Sequence, residues 1–218
     1  MATLNPGRDS RQSRVANHYP GVSGTSSQDF SHLAKLLFQT SAEYAKNADG
    51  NCSIYTLAGI PILFSALHCL LIELNAGMWA NSHFDKTTLV ELAKSGNDVS
   101  VIAKCYPTFP DKLRQKLDLL IQVRHEILHP AHRPGPEEKN NTPEYLVSLR
   151  EAGLLQSTGN DVDYIWLSQL QSHRLFRWAF NIVRDTVDTL LRLHDFHADM
   201  TAGILQSYST DETIDASL

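Results

Sequence analysis

Apolar residues recur at helical spacing along most of this chain, and no segment pairs convincingly as strands. Between residues 29 and 48, the stripe Phe30, Leu33, Leu37, Tyr44 and Ala48 predicts a first helix buried along that line, with Asp29 or Ser31 as its cap. The polar run Asn47 to Asn51, containing Gly50, ends it. Residues 54–72 are almost uncharged and predict a second helix that stops near Ala76 and Gly77. This segment is long enough to be weighed as a membrane span. However, Pro61, Ser65 and His68 interrupt it and Glu73 follows directly, so the reading adopted is a bundle helix covered on most sides.

Residues 87–95 read as a short helix closed by Gly96, and residues 100–110 as an irregular connector. Asp111 is then expected to cap a third long helix with the stripe Leu113, Leu117, Leu120, Ile121, Ile127 and Leu128, and Arg124 falls inside that stripe. Pro130 cannot continue the hydrogen-bond ladder and disfavours the helical conformation of the residue before it, so the helix should stop at His129. After a Pro- and Gly-containing loop, Thr142-Pro143-Glu144 opens a short helix that runs to Gly153, with Pro143 suited to its first turn. Residues 164–167 fit strand or helix equally. The last long helix carries Leu175, Trp178, Ala179, Ile182, Val183, Val187, Leu190 and Leu191 on one broad face. Beyond Asp199 the chain turns polar and is expected to fray.

These elements predict an all-α protein, an up-and-down bundle of four or five principal helices with short accessory helices. The expected organisation is one domain over residues 29–198, preceded by a disordered polar arm at 1–28 and followed by a polar tail at 199–218. A chain of 218 residues supports one substantial core. With 19 basic against 24 acidic residues the formal charge is −5, so any hold on RNA must come from a local basic patch rather than from the overall field. Cys52, Cys69 and Cys105 have no metal-ligand spacing, and the N-terminal segment lacks the apolar core of a secretory signal. A reduced, cytoplasmic protein without a membrane anchor is the expectation.

The chemistry is concentrated in Arg124-His125-Glu126-Ile127-Leu128-His129-Pro130. Read as His-Glu-x-x-His, it is a zinc-hydrolase motif. His125 and His129 stand about 40° apart around a helix, suitable for two ligands, and Glu126 would activate water. The surroundings fit less well, because Arg124 places a positive charge beside the metal and Pro130 ends the helix where such motifs continue. His132, Glu144 and Glu151 are the available third ligands, and nothing singles one out.

Read as Arg-x-x-x-x-His at the end of a leucine-rich helix, followed by a loop, a short helix and a long last helix, the same residues resemble the HEPN superfamily. Arg124 occupies the motif arginine, His125 its polar neighbour and His129 the histidine, and the resemblance spans residues 29–193. It implies a homodimer whose motif helices meet at a shared cleft, and RNA cleavage that needs no metal or other cofactor. It also implies a toxin or defence setting with an antitoxin or inhibitor protein as partner, or a noncatalytic dimer that binds RNA, a nucleotide or a protein. The residues suit the chemistry in their own right. Attack of a ribose 2′-hydroxyl on the adjacent phosphorus needs a base, an acid and positive charge at the phosphorane. An imidazole such as His129 exchanges protons near neutrality, and the planar fork of Arg124 holds two phosphate oxygens. Arg124 and His129 lie about 140° apart around one ideal helix, an arrangement that a two-fold dimer turns into one cleft.

The bland reading of Arg124 is a buried ion pair. His125 is assigned an assisting role and Glu126 an exposed charge; His68 and Glu73 are assigned partly buried structural roles, with reach to Arg124 as the alternative. Arg133 in the loop, and Arg174 and Arg177 beside His173 at the start of the last helix, are the candidate RNA contacts, while Trp178 is read as core.

Overall fold

The structure, a computed structural model, describes residues 26–47, 52–75, 108–130, 143–156, 166–193 and 198–210. In chain order the helices are α1 (Ser26–Asn47), α2 (Tyr55–Asn75), α3 (Asp111–Leu128), α4 (Glu144–Glu151), α5 (Trp166–Gln169), α6 (His173–Leu193) and α7 (Ala198–Ser207). Among the described residues there is no strand, only an isolated antiparallel bridge between Cys52 and Ser172. The protein is all-α, with four long helices and three short ones over these residues. The expected helix at 87–95 and most of the connector lie outside the described residues.

Helix α2 is the centre. Helices α1, α3 and α6 all pack on it, and Ile60, Leu63, Phe64, Leu67, Leu70, Leu71 and Leu74 are fully buried. Its length and composition alone would also let it cross a membrane. Here its apolar circumference is explained by neighbours on several sides. Helix α6 is sharply two-faced and buries Leu175, Trp178, Ala179, Ile182, Val183, Val187, Leu190 and Leu191, the face read from the sequence. Each such side chain contributes about 1.5–3 kcal/mol on leaving water. The starts of α2 and α6 are stitched together: Ser53 N–H donates to the Gln171 carbonyl at 2.8 Å and Thr56 Oγ1 to that of Ser172 at 3.0 Å. Ser172 also caps α6, its Oγ accepting from the Leu175 N–H at 3.3 Å.

Several expectations are corrected. Helix α1 starts at Ser26, ahead of both proposed caps, and it buries a face about a quarter turn round from the expected stripe: Ser27, Ser31, Ala34, Phe38, Ser41, Ala42 and Ala45, with Leu37 of the stripe half-buried beside them. Phe30, Leu33 and Tyr44 are exposed. Small side chains let α1 lie close against α2, and the larger apolar residues are left on the flank. Asp111 does not cap α3. It is the first helical residue, follows Pro110, and pairs with Arg114 instead. Pro143 stands just before α4 rather than in its first turn. Residues 166–169 resolve the strand-or-helix ambiguity at its C-terminal end in favour of a short helix. The tail past Asp199 is not frayed as far as residue 210: α7 continues to Ser207 and docks through Ile204 and Tyr208.

Helix α7 and the start of α1 converge on the last turns of α2. The buried Glu73 carboxylate accepts from the Ser27 N–H at 3.0 Å and from the Ser27 hydroxyl at 2.5 Å. It therefore satisfies first-turn donors of α1 from a different helix. Tyr208 donates its hydroxyl to the Ala66 carbonyl at 3.2 Å, and burial, reinforced by the Glu73 charge, pushes its phenol far above the usual range. Replacing Glu73 by Gln is expected to cost about 1–2 kcal/mol, since bonds to a charged acceptor become bonds to a neutral one. Urea denaturation checks this, and an unchanged midpoint would remove Glu73 from the fold's support.

Candidate functional site

Helix α3 ends as the sequence requires. Leu128 is its last residue and His129 forms the C-cap, its N–H donating to the His125 carbonyl at 2.8 Å. Leu117, Leu120 and Val123 form the buried centre of the helix. On an ideal helix Arg124 stands at one edge of this face and Glu126 at the other, while His125 and His129 point away from it. The consecutive residues of the motif therefore reach three different environments.

Arg124 is half-buried. Its Cζ lies 5.9 Å from the centre of the Phe64 ring on α2, within cation–π range. Its Nε is buried with no hydrogen-bond partner, and among the described residues the guanidinium has no ion pair. Burial pulls its pKa down from the usual arginine value, yet a guanidinium retains its charge at any ordinary pH. Among the described residues, no ion pair gives this side chain a purely structural explanation. What remains is a fixed positive charge, partly stripped of water, with a donor still to satisfy.

His125 and His129 are both exposed, with ring centres 5.2 Å apart and planes tilted by 50°. Two imidazoles so placed reach a common ligand from one side. Glu126 is corrected from an exposed charge to a buried one: it is 4% exposed and accepts the Tyr145 hydroxyl of α4 at 3.0 Å. This contact fastens α4 to α3. No group of three potential metal ligands gathers among the described residues, and His132, one candidate third ligand, lies outside them.

His68 sits one helical turn beyond Phe64 on the same side of α2, at the border between core and solvent. Its pKa is lowered from 6.5, first by burial and then by the charge of Arg124. Of the two readings open to His68, a partly buried structural role and reach to Arg124, the second has support in this coupling. Phe64, which carries the guanidinium, and Tyr145 were not read as site residues at all. The Phe64 and His68 pair at helical spacing was visible, but nothing local announces that α3 delivers an arginine to it.

The second basic cluster is weaker. Arg174 is exposed and Arg177 half-buried, and both are already engaged by neighbouring groups. His173 beside them is buried. It shares a hydrogen bond with Ser41 Oγ at 2.9 Å through Nδ1 and packs on Phe38, tying α6 to α1. Trp178 is core, as read. Arg133 and His132 lie outside the described residues.

Comparison with known proteins returns no family model, no curated protein and no solved structure that matches this chain. The HEPN resemblance therefore rests on the motif and its helical setting alone, and function is argued from the site.

Proposed function

We propose that this protein is a metal-independent endoribonuclease that acts as a homodimer, with Arg124 and His129 as principal site residues and His125 assisting. One observation carries the reading: a half-buried arginine, with no carboxylate partner among the described residues, stands on the same helix end as two exposed imidazoles. Anion binding gives the guanidinium the partner it lacks, and a phosphodiester makes use of both its charge and its planar fork.

In the reaction the 2′-hydroxyl loses its proton to a base and its oxygen bonds to phosphorus. The bond from phosphorus to the 5′-oxygen then breaks, and that oxygen takes a proton from an acid, leaving a 2′,3′-cyclic phosphate and a free 5′-hydroxyl. Arg124 stabilises the negative charge that grows on the phosphorane. The imidazoles of His125 and His129 carry protons. Two copies of α3 set around a two-fold axis bring the Arg124 of one chain toward the histidines of the other, overcoming their separation around a single helix.

The test is cleavage of a mixed RNA by the purified protein in excess EDTA, with product ends analysed beside His129→Ala. Cyclic phosphate ends formed by the wild type and reduced by about 10²-fold or more in the variant are expected, the scale of a lost acid or base. RNA bound but left intact would replace the enzyme with a noncatalytic RNA-binding dimer. Hydrolysis restored only by zinc would return the metal reading.

A further inference from the structure

Arg124 meets α2 at Phe64, and His68 follows Phe64 by four residues, about 40° around the helix and one turn along it. Phe64 is fully buried and serves as the floor under the guanidinium, whereas His68 is only half-buried and lies within electrostatic reach of the arginine. We infer that His68 and Arg124 form a phosphate-binding notch between α2 and α3, in which Arg124 supplies the fixed charge and His68 accepts a proton from the bound group.

The electrostatic surroundings agree. Among the described residues, Arg124, reaching in from α3, is the charged group that acts on His68. Glu73 and Cys69, farther along α2, face Ser27 of α1 and Tyr208 at the end of α7. Helix α6 meets α2 through Phe176 at Gly59, and its buried His173 is held by Ser41 of α1. Burial, and then the neighbouring guanidinium, lower the His68 pKa and so favour the neutral form that can accept a proton. A phosphate on Arg124 cancels part of that positive field and makes the imidazolium easier to form. Proton affinity thus rises when the anion arrives.

This rests on the nuclease reading for its chemistry and deepens it. The 2′-hydroxyl proton passes to His68 as the bond from oxygen to phosphorus forms, and the departing 5′-oxygen takes its proton from the exposed imidazoles of His125 and His129. Base and acid are then distinguished by environment: one imidazole is biased toward the neutral form in a cleft and the others stand in water.

The test uses the full chain with inorganic phosphate as probe. The His68 ring signal is assigned by NMR and titrated between about pH 5 and 8, the range in which histidines change charge, with and without phosphate. Phosphate is expected to raise the His68 midpoint by about one unit, as a nearby opposite charge does, and the rise should vanish in Arg124→Gln. A His68 signal indifferent to phosphate overturns the notch, and so does an equal rise in Arg124→Gln. The wild-type readout decides even where the variant folds poorly.

Cleavage supplies a separate arm. His68→Gln should remove the acidic limb of the kcat profile and lower kcat by about 10²-fold or more with little change in KM, and a retained limb overturns the role as base. A wild type that shows the phosphate response but cleaves no RNA supports the notch and removes the nuclease reading. Cleavage without a phosphate response does the reverse.

Discussion

Arg124→Ala is expected to slow metal-free RNA cleavage by about two to three orders of magnitude while leaving the fold intact. The size follows from removing one preorganised donor from developing negative charge. The retained fold follows from the structure. Arg124 makes no hydrogen bond or ion pair among the described residues, and its Nε is already unsatisfied, so truncation breaks no network and relieves some desolvation. Arg124→Lys should fall between alanine and wild type, because it keeps a charge but loses the fork. Single-turnover rates and thermal melts on the same preparations separate the effects. A protein that melts well below the wild type and cleaves at the wild-type rate would make Arg124 structural after all.

The second large effect concerns the contact between α2 and α6. Gly59 is buried, and a Cβ added there would fall within the Phe176 ring. Phe176 is itself fully buried and packs edge-on against Phe38 and obliquely on Phe180, so it has little room to retreat. Gly59→Ala is therefore expected to cost about 2–3 kcal/mol, toward the upper end for overpacking, although alanine is the better helix former. Phe176→Leu should offset part of that loss when combined with it, and a double-mutant cycle by urea denaturation measures the coupling. Simple additivity of the two changes would mean that the helices do not meet at Gly59.

The difference between what was legible and what was not has a consistent cause. Helix α6 could be read because large side chains mark its buried face, and Pro130 sets the end of α3 by backbone chemistry alone. The stripe expected for α3 holds at Leu117 and Leu120, but Leu128 is exposed and the buried Val123 lies outside it. Helix α1 was read about a quarter turn off. Its buried face is built from Ser27, Ser31, Ala34, Ser41, Ala42 and Ala45 with the single large residue Phe38, so close approach to α2, not side-chain size, decides what is covered. Helix α7 escaped notice because Ile204 and Tyr208 are its described buried anchors, too few to give a periodic signal.

The site divides along the same line. Arg124 and the two histidines were visible as a local pattern, and a guanidinium in an apolar stripe already called for a partner or a ligand. Which of these it has depends on tertiary contacts. The same holds for Phe64 and His68, brought to Arg124 by the packing of α2 on α3, and for Glu126, whose partner Tyr145 comes from α4. No feature of the five-residue motif tells its buried glutamate from an exposed one.

The separation of Arg124, Glu126 and the two histidines onto different sides of α3 bears on how substitutions can accumulate there. Neighbouring codons in this segment answer to unrelated demands. Glu126 is held to its identity by folding, through Tyr145, while His125 and His129 can change without disturbing the core and Arg124 costs the fold something to keep. A variant library across residues 124–129, sorted once for folding and once for RNA cleavage, should therefore yield two tolerance maps that are nearly complementary. Under the proposed nuclease function, a drift of this chain toward a binding-only role would begin at the histidines, long before the helix that carries them registered any loss.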